Sequence, residues 1–412
     1  MKILDKIKAA FLRDEPQPET RSDGVFTYTP PLELKPLNRG ELTLARGEGV
    51  WIEPPAALRT FKRRPPAFHD DPDNAGLFSS FAPDAITYPP GFIISAEKVR
   101  QIGYRCYITH SGRFFNDQGY LDDKDRDGYL ARLSQTEDFP NEDTGLVASD
   151  KPGQFTVNFK ERTVEVLSEE IISLCSSEPS NYGAFLFRVL PKLAGAGDLI
   201  SKRRVLAPVY TPSMRELLKL SGLADEQIIP HNTHVIYEIE RALIPSNRNI
   251  HAFIDHETLA FYAKLREQYG AAQRGKRIFV SRMGWAGSYA ATHRVMVNEA
   301  EVAAALQELG FEIVRTHDMS ILEQIEIFSS ASIIVGASGS AMYNVLFSHP
   351  GTKLIDIESE PHWIFAHTNL FSSCGLDYGI FEGRGIDPTS TAPHKPFSVN
   401  IDALIARVKQ ML

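Results

Sequence analysis

From Arg277 onward the chain alternates short apolar runs with amphipathic stretches of helical length, and this alternation restricts the fold more than any other feature. RIFVS (277–281), FEIVRT (311–316), SIIVGA (332–337) and TKLIDIE (352–358) are rich in β-branched and aromatic residues. Between them, Glu299–Leu309 and Ser320–Ser330 repeat their apolar residues at three- and four-residue spacing. Strands that alternate with helices pair in parallel, because each crossover must return the chain to the same edge of the sheet. The expectation is a doubly wound α/β sheet, whose ligand lies beyond the carboxyl ends of the strands. Upstream, Asn181–Leu193, Pro212–Ser221 and His256–Tyr269 read as helices. RVLAP (204–208) and Gln227–Pro230 read as strands.

The third strand of the C-terminal series runs straight into Gly-Ala-Ser-Gly-Ser and then MYNVLF (342–347). That order reads as strand, tight turn and short helix with an open N-terminus. Unpaired N–H groups and the helix dipole attract anions there, and glycines let a ligand approach the backbone. Equally, Gly336 and Gly339 can simply close a tight connection. On the same rim the pattern gathers Ser281 and Arg282, His317 and Asp318, Ser338, Gly339 and Ser340, and Glu358. A cation, a glycine turn and carboxylates on one edge suit a nucleotide diphosphate.

Composition narrows the classes. The net charge of −8 argues against broad nucleic-acid binding. The three cysteines, Cys106, Cys175 and Cys374, show no metal or redox spacing and suit a reducing compartment. No apolar run spans a bilayer, so the expected location is cytoplasmic. Residues 1–13 are amphipathic, with Leu4, Ile7 and Phe11 on one helical face. They read either as a peripheral membrane contact or as a helix docked on its own domain. Proline-rich segments mark 1–95 as an irregular N-terminal extension. A further domain is expected over 96–270, Rossmann-like from about 181, and a Rossmann-like domain over 271–412. The oligomeric state is not legible.

RIFVSR (277–282), RVMVNE (294–299), ILEQIEIFSSA (321–331), VGASGSAMYNVLF (335–347) and PGTKLIDI (350–357) resemble glycosyltransferase family 61 in order and spacing. NYGAFLFRVLPKL (181–193) and IERALIPS (239–246) fit the same family. The resemblance implies an α/β, GT-B-like architecture, two Rossmann-like domains facing a cleft, here with the irregular, β-containing extension. It implies an inverting transfer without a required metal or cofactor, from a nucleotide-sugar donor, UDP-linked foremost, to a saccharide acceptor. Many bacterial relatives are associated with surface or capsular polysaccharide. One motif departs. Where the family commonly carries Asn-Tyr-Tyr-His-Trp and then an acid, this chain has Gly183, Ala184, Phe185 and Arg188.

Transfer requires that charge on the leaving diphosphate be stabilised and that the acceptor hydroxyl lose a proton. Arg282 is the first candidate for the phosphates, since guanidinium grips them bidentately. Arg294 is the second, or else it pairs with Glu299. Asn344 bonds the ligand or orients its loop. Glu358, ahead of Asp356, is the candidate for sugar hydroxyls. Base candidates are His256, Asp255 and His251, with His293 and His317 behind them. DKDRDG (123–128) matches half of a calcium loop but has Ser134 at the twelfth position, and His231 with His234 lacks a third ligand. Two competitors stay open. One is a Rossmann-type oxidoreductase, for which Gly336 and Gly339 form an incomplete fingerprint. The other is a non-catalytic binding protein derived from a transferase.

Overall fold

The computed structural model describes residues 33–52, 59–70, 85–88, 90–118, 146–149, 151, 153–157, 162–248, 252–284, 294–358, 364–387 and 395–412. The amphipathic segment 1–13, the DKDRDG stretch, His251 and His293 lie outside them. The described residues are mixed α/β and fall into two compact units, one within 1–57 and 89–248, the other within 58–88 and 249–412.

The first unit is built on a mixed sheet. Thr163–Ser173, Val205–Ala207, Ile228–Pro230 and Val235–Pro245 run parallel. Ile93–Ile102 then joins Val235–Pro245 antiparallel, and Cys106–Ile108 and Arg113–Phe115 continue as a meander. This unit is therefore Rossmann-like in one half only. The expected helix over Asn181–Leu193 is interrupted. A turn at Tyr182–Ala184 passes into a widened π turn at Phe185–Val189, where Leu190 N donates to Phe185 O, before Lys192–Ala196 resumes. Pro191 supplies the reason: it has no N–H for the regular ladder. Gly183, Ala184 and Phe185 are all buried, and Arg188 turns to Ser177 Oγ and Glu178.

The second unit carries β1 (Lys276–Val280), β2 (Glu312–Val314), β3 (Ala331–Ala337), β4 (Lys353–Glu358) and β5 (Asp377–Glu382). All are parallel, in the order β2-β1-β3-β4-β5, with His69–Asp70 added beside β5. Helices α1 (His256–Tyr269), α2 (Glu299–Glu308), α3 (Ile321–Ser330), α4 (Ile364–Ser373) and α5 (Ile401–Met411) pack with the sheet, α5 placing Leu404 and Val408 in its core. Ile334, Val335, Leu354, Ile355 and Ile357 are fully enclosed, as continuous apolar strands covered on both faces must be. The proline-rich stretch, expected to be irregular, contributes Arg59–Lys62 paired with Ala85–Tyr88, besides the edge strand. The sequence reading also left α1 in the preceding domain. In the structure it packs in the second unit, because buried Tyr262 meets Phe347 edge-on at 5.3 Å.

The stretch after β3 is a 3₁₀ helix over Ser340–Phe347. Its Met342, Val345, Leu346 and Phe347 point around the axis and are all buried, so it is a packed connection. The two glycines before it have different causes. A Cβ on Gly336 would stand 2.7 Å from Met342 Sδ and 3.0 Å from Val280 Cβ, so only glycine lets β1, β3 and the 3₁₀ helix close together. Gly336→Ala is expected to destabilise the protein by about 1–3 kcal/mol through overpacking. A thermal melt unchanged from wild type would refute that. Gly339 has φ 157° and ψ −176°, a backbone region essentially restricted to glycine.

Candidate active site

The sheet order makes the site. From β1 the chain crosses to β2 on one side; from β3 onward it builds on the other. The reversal between β1 and β3 is a topological switch point, where loops diverge and leave a crevice beyond the carboxyl ends. The two loops flanking it are Ser281-Arg282 and Ser338-Gly339.

Glu299, in the first turn of α2 and 8% exposed, ties down the first loop. Its Oε1 accepts from Ser281 Oγ at 2.8 Å and from Arg282 N at 2.7 Å, and Met283 N donates to Ser281 Oγ. Glu299 thus holds the loop backbone, a role the sequence reading had not assigned it. Arg282 projects towards the second loop: a Cβ on Gly339 would lie 4.0 Å from its Nη1. Arg294 has φ 51°, a left-handed conformation costly for a non-glycine residue. From there its Nη1 donates to Ser338 Oγ at 3.2 Å. Burial, and then the neighbouring charge of Arg294, hold the Arg282 guanidinium below its usual range, with Glu299 opposing. Two cations brought together beside a glycine turn favour an anion between them.

The turn differs in detail from expectation. Ser338 N donates to Ile357 O at 2.9 Å, so its amide belongs to the sheet. What Ser338 offers is its hydroxyl, which receives Arg294 and lies 3.0 Å from His367 Nδ1. Asn344 orients its surroundings: its Nδ2 donates to Gln324 Oε1, and Gln324 Nε2 donates to Thr316 O and Met319 O, which braces the turn carrying His317. His317 Nε2 stands 3.6 Å from Asp318 Oδ1.

At the end of β4, Asp356 and Glu358 share one face, as residues two apart must. Glu358 was expected to face a ligand, yet both are fully enclosed and both meet His367 of α4. His367 Nδ1 lies 2.6 Å from Glu358 Oε1 and 3.1 Å from Asp356 Oδ2. Burial pushes the Glu358 carboxyl up to about 7, with His367 opposing and Asp356 adding to the rise. Burial lowers His367, but the two carboxylates outweigh it and raise the imidazole to about 10. One donor atom from each of the three lies within 4.8 Å of the others, and Asp356 Oδ1 and Glu358 Oε2 are buried without a hydrogen-bond partner. The set could hold a divalent cation; a proton on Nδ1 joins the same groups. Further along the rim, His69 Nε2 meets Glu382 Oε1 at 2.6 Å.

The base candidates sit elsewhere. Asp255 caps α1, its Oδ1 accepting from Thr258 N at 2.7 Å. Exposed His256 has Arg59 Nη1 at 2.9 and 3.0 Å from its ring nitrogens. Ile254 N donates to Ser373 Oγ, at the end of the helix that returns the chain to the start of β5. Asp255 and His256 therefore lie towards the amino edge of the sheet, away from the Arg282 rim. His231 packs among the rings of Tyr104 and Tyr237, and neighbouring His234 is exposed. His367 was missed because its signal is tertiary; nothing in the chain's order ties it to Ser338, 29 positions earlier.

No described helix is long and apolar enough to cross a membrane. No curated protein matches the chain. Residues 182–355 match the sequence model of the family described as Glycosyltransferase 61, a stretch that contains Arg282, Arg294 and the Ser338-Gly339 turn and that supports a glycosyltransferase.

Proposed function

We propose that the protein is an inverting glycosyltransferase that moves a hexosyl or pentosyl group from a nucleotide diphosphate donor, UDP-linked foremost, to a saccharide or glycoconjugate acceptor. The observation that carries this reading is the pair of guanidiniums, Arg282 and Arg294, at the switch point of a parallel sheet, inside the stretch matched to glycosyltransferase 61. As the bond to the anomeric carbon breaks, negative charge grows on the diphosphate. Donors already in place stabilise it without reorganisation. Arg282 grips the phosphate oxygens, Arg294 and the Ser338 hydroxyl line the turn, and Gly339 permits close approach. These cations take the part a divalent ion plays in other transferases, so transfer requires no metal. Asp255, committed to its cap, and His256, beside it on the amino edge away from Arg282, are set aside as the base; His251 remains for mutation. We place the activity in bacterial surface polysaccharide synthesis, in the cytoplasm, with residues 1–13 as the segment for peripheral membrane contact.

A second reading, a transferase-derived binding protein without turnover, draws on Gly183 and Ala184, which place no polar side chain in the packed turn before Arg188. The two separate in a thermal-shift and turnover experiment with UDP, GDP and CDP sugars in chelator. A ligand that binds only the folded state adds about 2.7 kcal/mol at a hundred times its dissociation constant. Stabilisation with turnover supports the transferase; stabilisation without turnover supports the binding protein. No response to any nucleotide sugar overturns the donor assignment.

A further inference from the structure

We propose that His367 is a positioning residue for the donor-binding turn: held by Asp356 and Glu358, it fixes the Ser338 hydroxyl and, through it, the guanidinium of Arg294. The proposal rests on the reading above that this turn receives the donor phosphates.

The geometry is a relay through one nitrogen. Nδ1 of His367 has three oxygens around it, Glu358 Oε1 at 2.6 Å, Ser338 Oγ at 3.0 Å and Asp356 Oδ2 at 3.1 Å. A single N–H cannot serve three acceptors fully. The carboxylates take it electrostatically, and Ser338, whose hydroxyl can rotate, adapts to what is left. Ser338 Oγ in turn receives Arg294 Nη1. The imidazole is confined by the rings of Tyr343 at 5.9 Å and Phe371 at 5.8 Å. All three members of the cluster are buried, at 0%, 0% and 3% exposure, so the strength of these contacts is not diluted by water. The position beside the turn matters as much as the contacts. Asp356 and Glu358 are the charges at the carboxyl end of β4, with Lys353 at its other end, His367 is the charge on α4, and Arg294 faces the cluster across Ser338.

The test is calorimetric binding of UDP-glucose to wild type, His367→Ala and His367→Asn. Amide exchange at residues 336–341 is followed alongside. The alanine variant is expected to bind about tenfold more weakly and to exchange faster at the turn. The asparagine variant, whose amide can stand where Nδ1 stands, recovers most of both. Unchanged turn exchange in His367→Ala overturns the proposal. If wild type binds no UDP-glucose the donor reading is in question, and turn exchange alone then decides the positioning role. A stoichiometric divalent cation that is lost in Asp356→Asn would also overturn the proposal, because a metal and not His367 would then order the cluster.

Discussion

Arg282→Ala is expected to bind a nucleotide sugar roughly ten- to a hundredfold more weakly than wild type, with no loss of melting temperature. Hydrogen bonds to charged groups contribute about 1.5–3 kcal/mol each, and each 1.4 kcal/mol is about tenfold in affinity. The fold should not suffer. The loop is fastened by the Arg282 backbone N–H and the Ser281 hydroxyl on Glu299, and neither needs the guanidinium. Removing a cation that is half-buried beside Arg294 also relieves repulsion. Arg282→Lys keeps the charge but loses the planar fork, so its affinity should fall between the two. Calorimetry with UDP-glucose measures the effect. An alanine variant that folds and binds the nucleotide sugar as tightly as wild type would sink the phosphate assignment.

The largest effect on stability is expected in the first unit. Asp117 and Lys192 are both at 0% exposure, with Nζ of Lys192 2.8 Å from Asp117 Oδ2. Ser176 Oγ donates to the same oxygen at 2.7 Å, and Lys192 Nζ also donates to Cys175 O at 2.6 Å. The group joins the segment after Arg113–Phe115, the end of Thr163–Ser173 and the helix Lys192–Ala196. Burial pushes the Asp117 carboxyl up, but Lys192 and Arg105 outweigh it and leave it below its usual range. Asp117→Ala strands an ammonium in the interior and should cost about 3–5 kcal/mol. The double variant Asp117→Asn, Lys192→Met removes both charges of the pair and keeps the shape, but it leaves the buried Arg105 guanidinium, 3.9 Å from Asp117 Oδ1, without this carboxylate, so it should recover only part of that loss. Urea unfolding decides it. If Asp117→Ala costs less than about 1 kcal/mol, the ammonium has found water or another partner, and the pair does not hold the unit together.

Much of the second unit was legible in the chain. Strands β1 to β4 fall on RIFVS, FEIVRT, SIIVGA and TKLIDIE, and α1, α2 and α3 on the stretches whose apolar residues repeat at helical spacing. These are local properties: a strand buried on both faces must be apolar throughout, and an amphipathic helix must repeat its apolar residues. The Arg282 rim was legible for the same reason, since the carboxyl end of a strand is a place in the sequence as well as in space. The interruption of Asn181–Leu193 was less so, because a π turn depends on how Phe185 and Leu190 pack around Pro191.

What only the tertiary structure decided involves partners far apart in the chain. Sequence order alone does not show that His69–Asp70 completes a sheet begun at Lys276, since edge pairing is made by backbone groups that every residue carries. Nor does it show that Glu358 turns inward to His367 and away from the rim, because alternation gives the face of a strand and not what covers that face. The same holds for the two glycines after β3. The sequence by itself marked a tight turn. The tertiary structure separated Gly336, required by the approach of Val280 and Met342, from Gly339, required by its own backbone angles. Local pattern determines which elements form; long-range packing determines which side chains they bring together, and the chemistry of this site lies in the second.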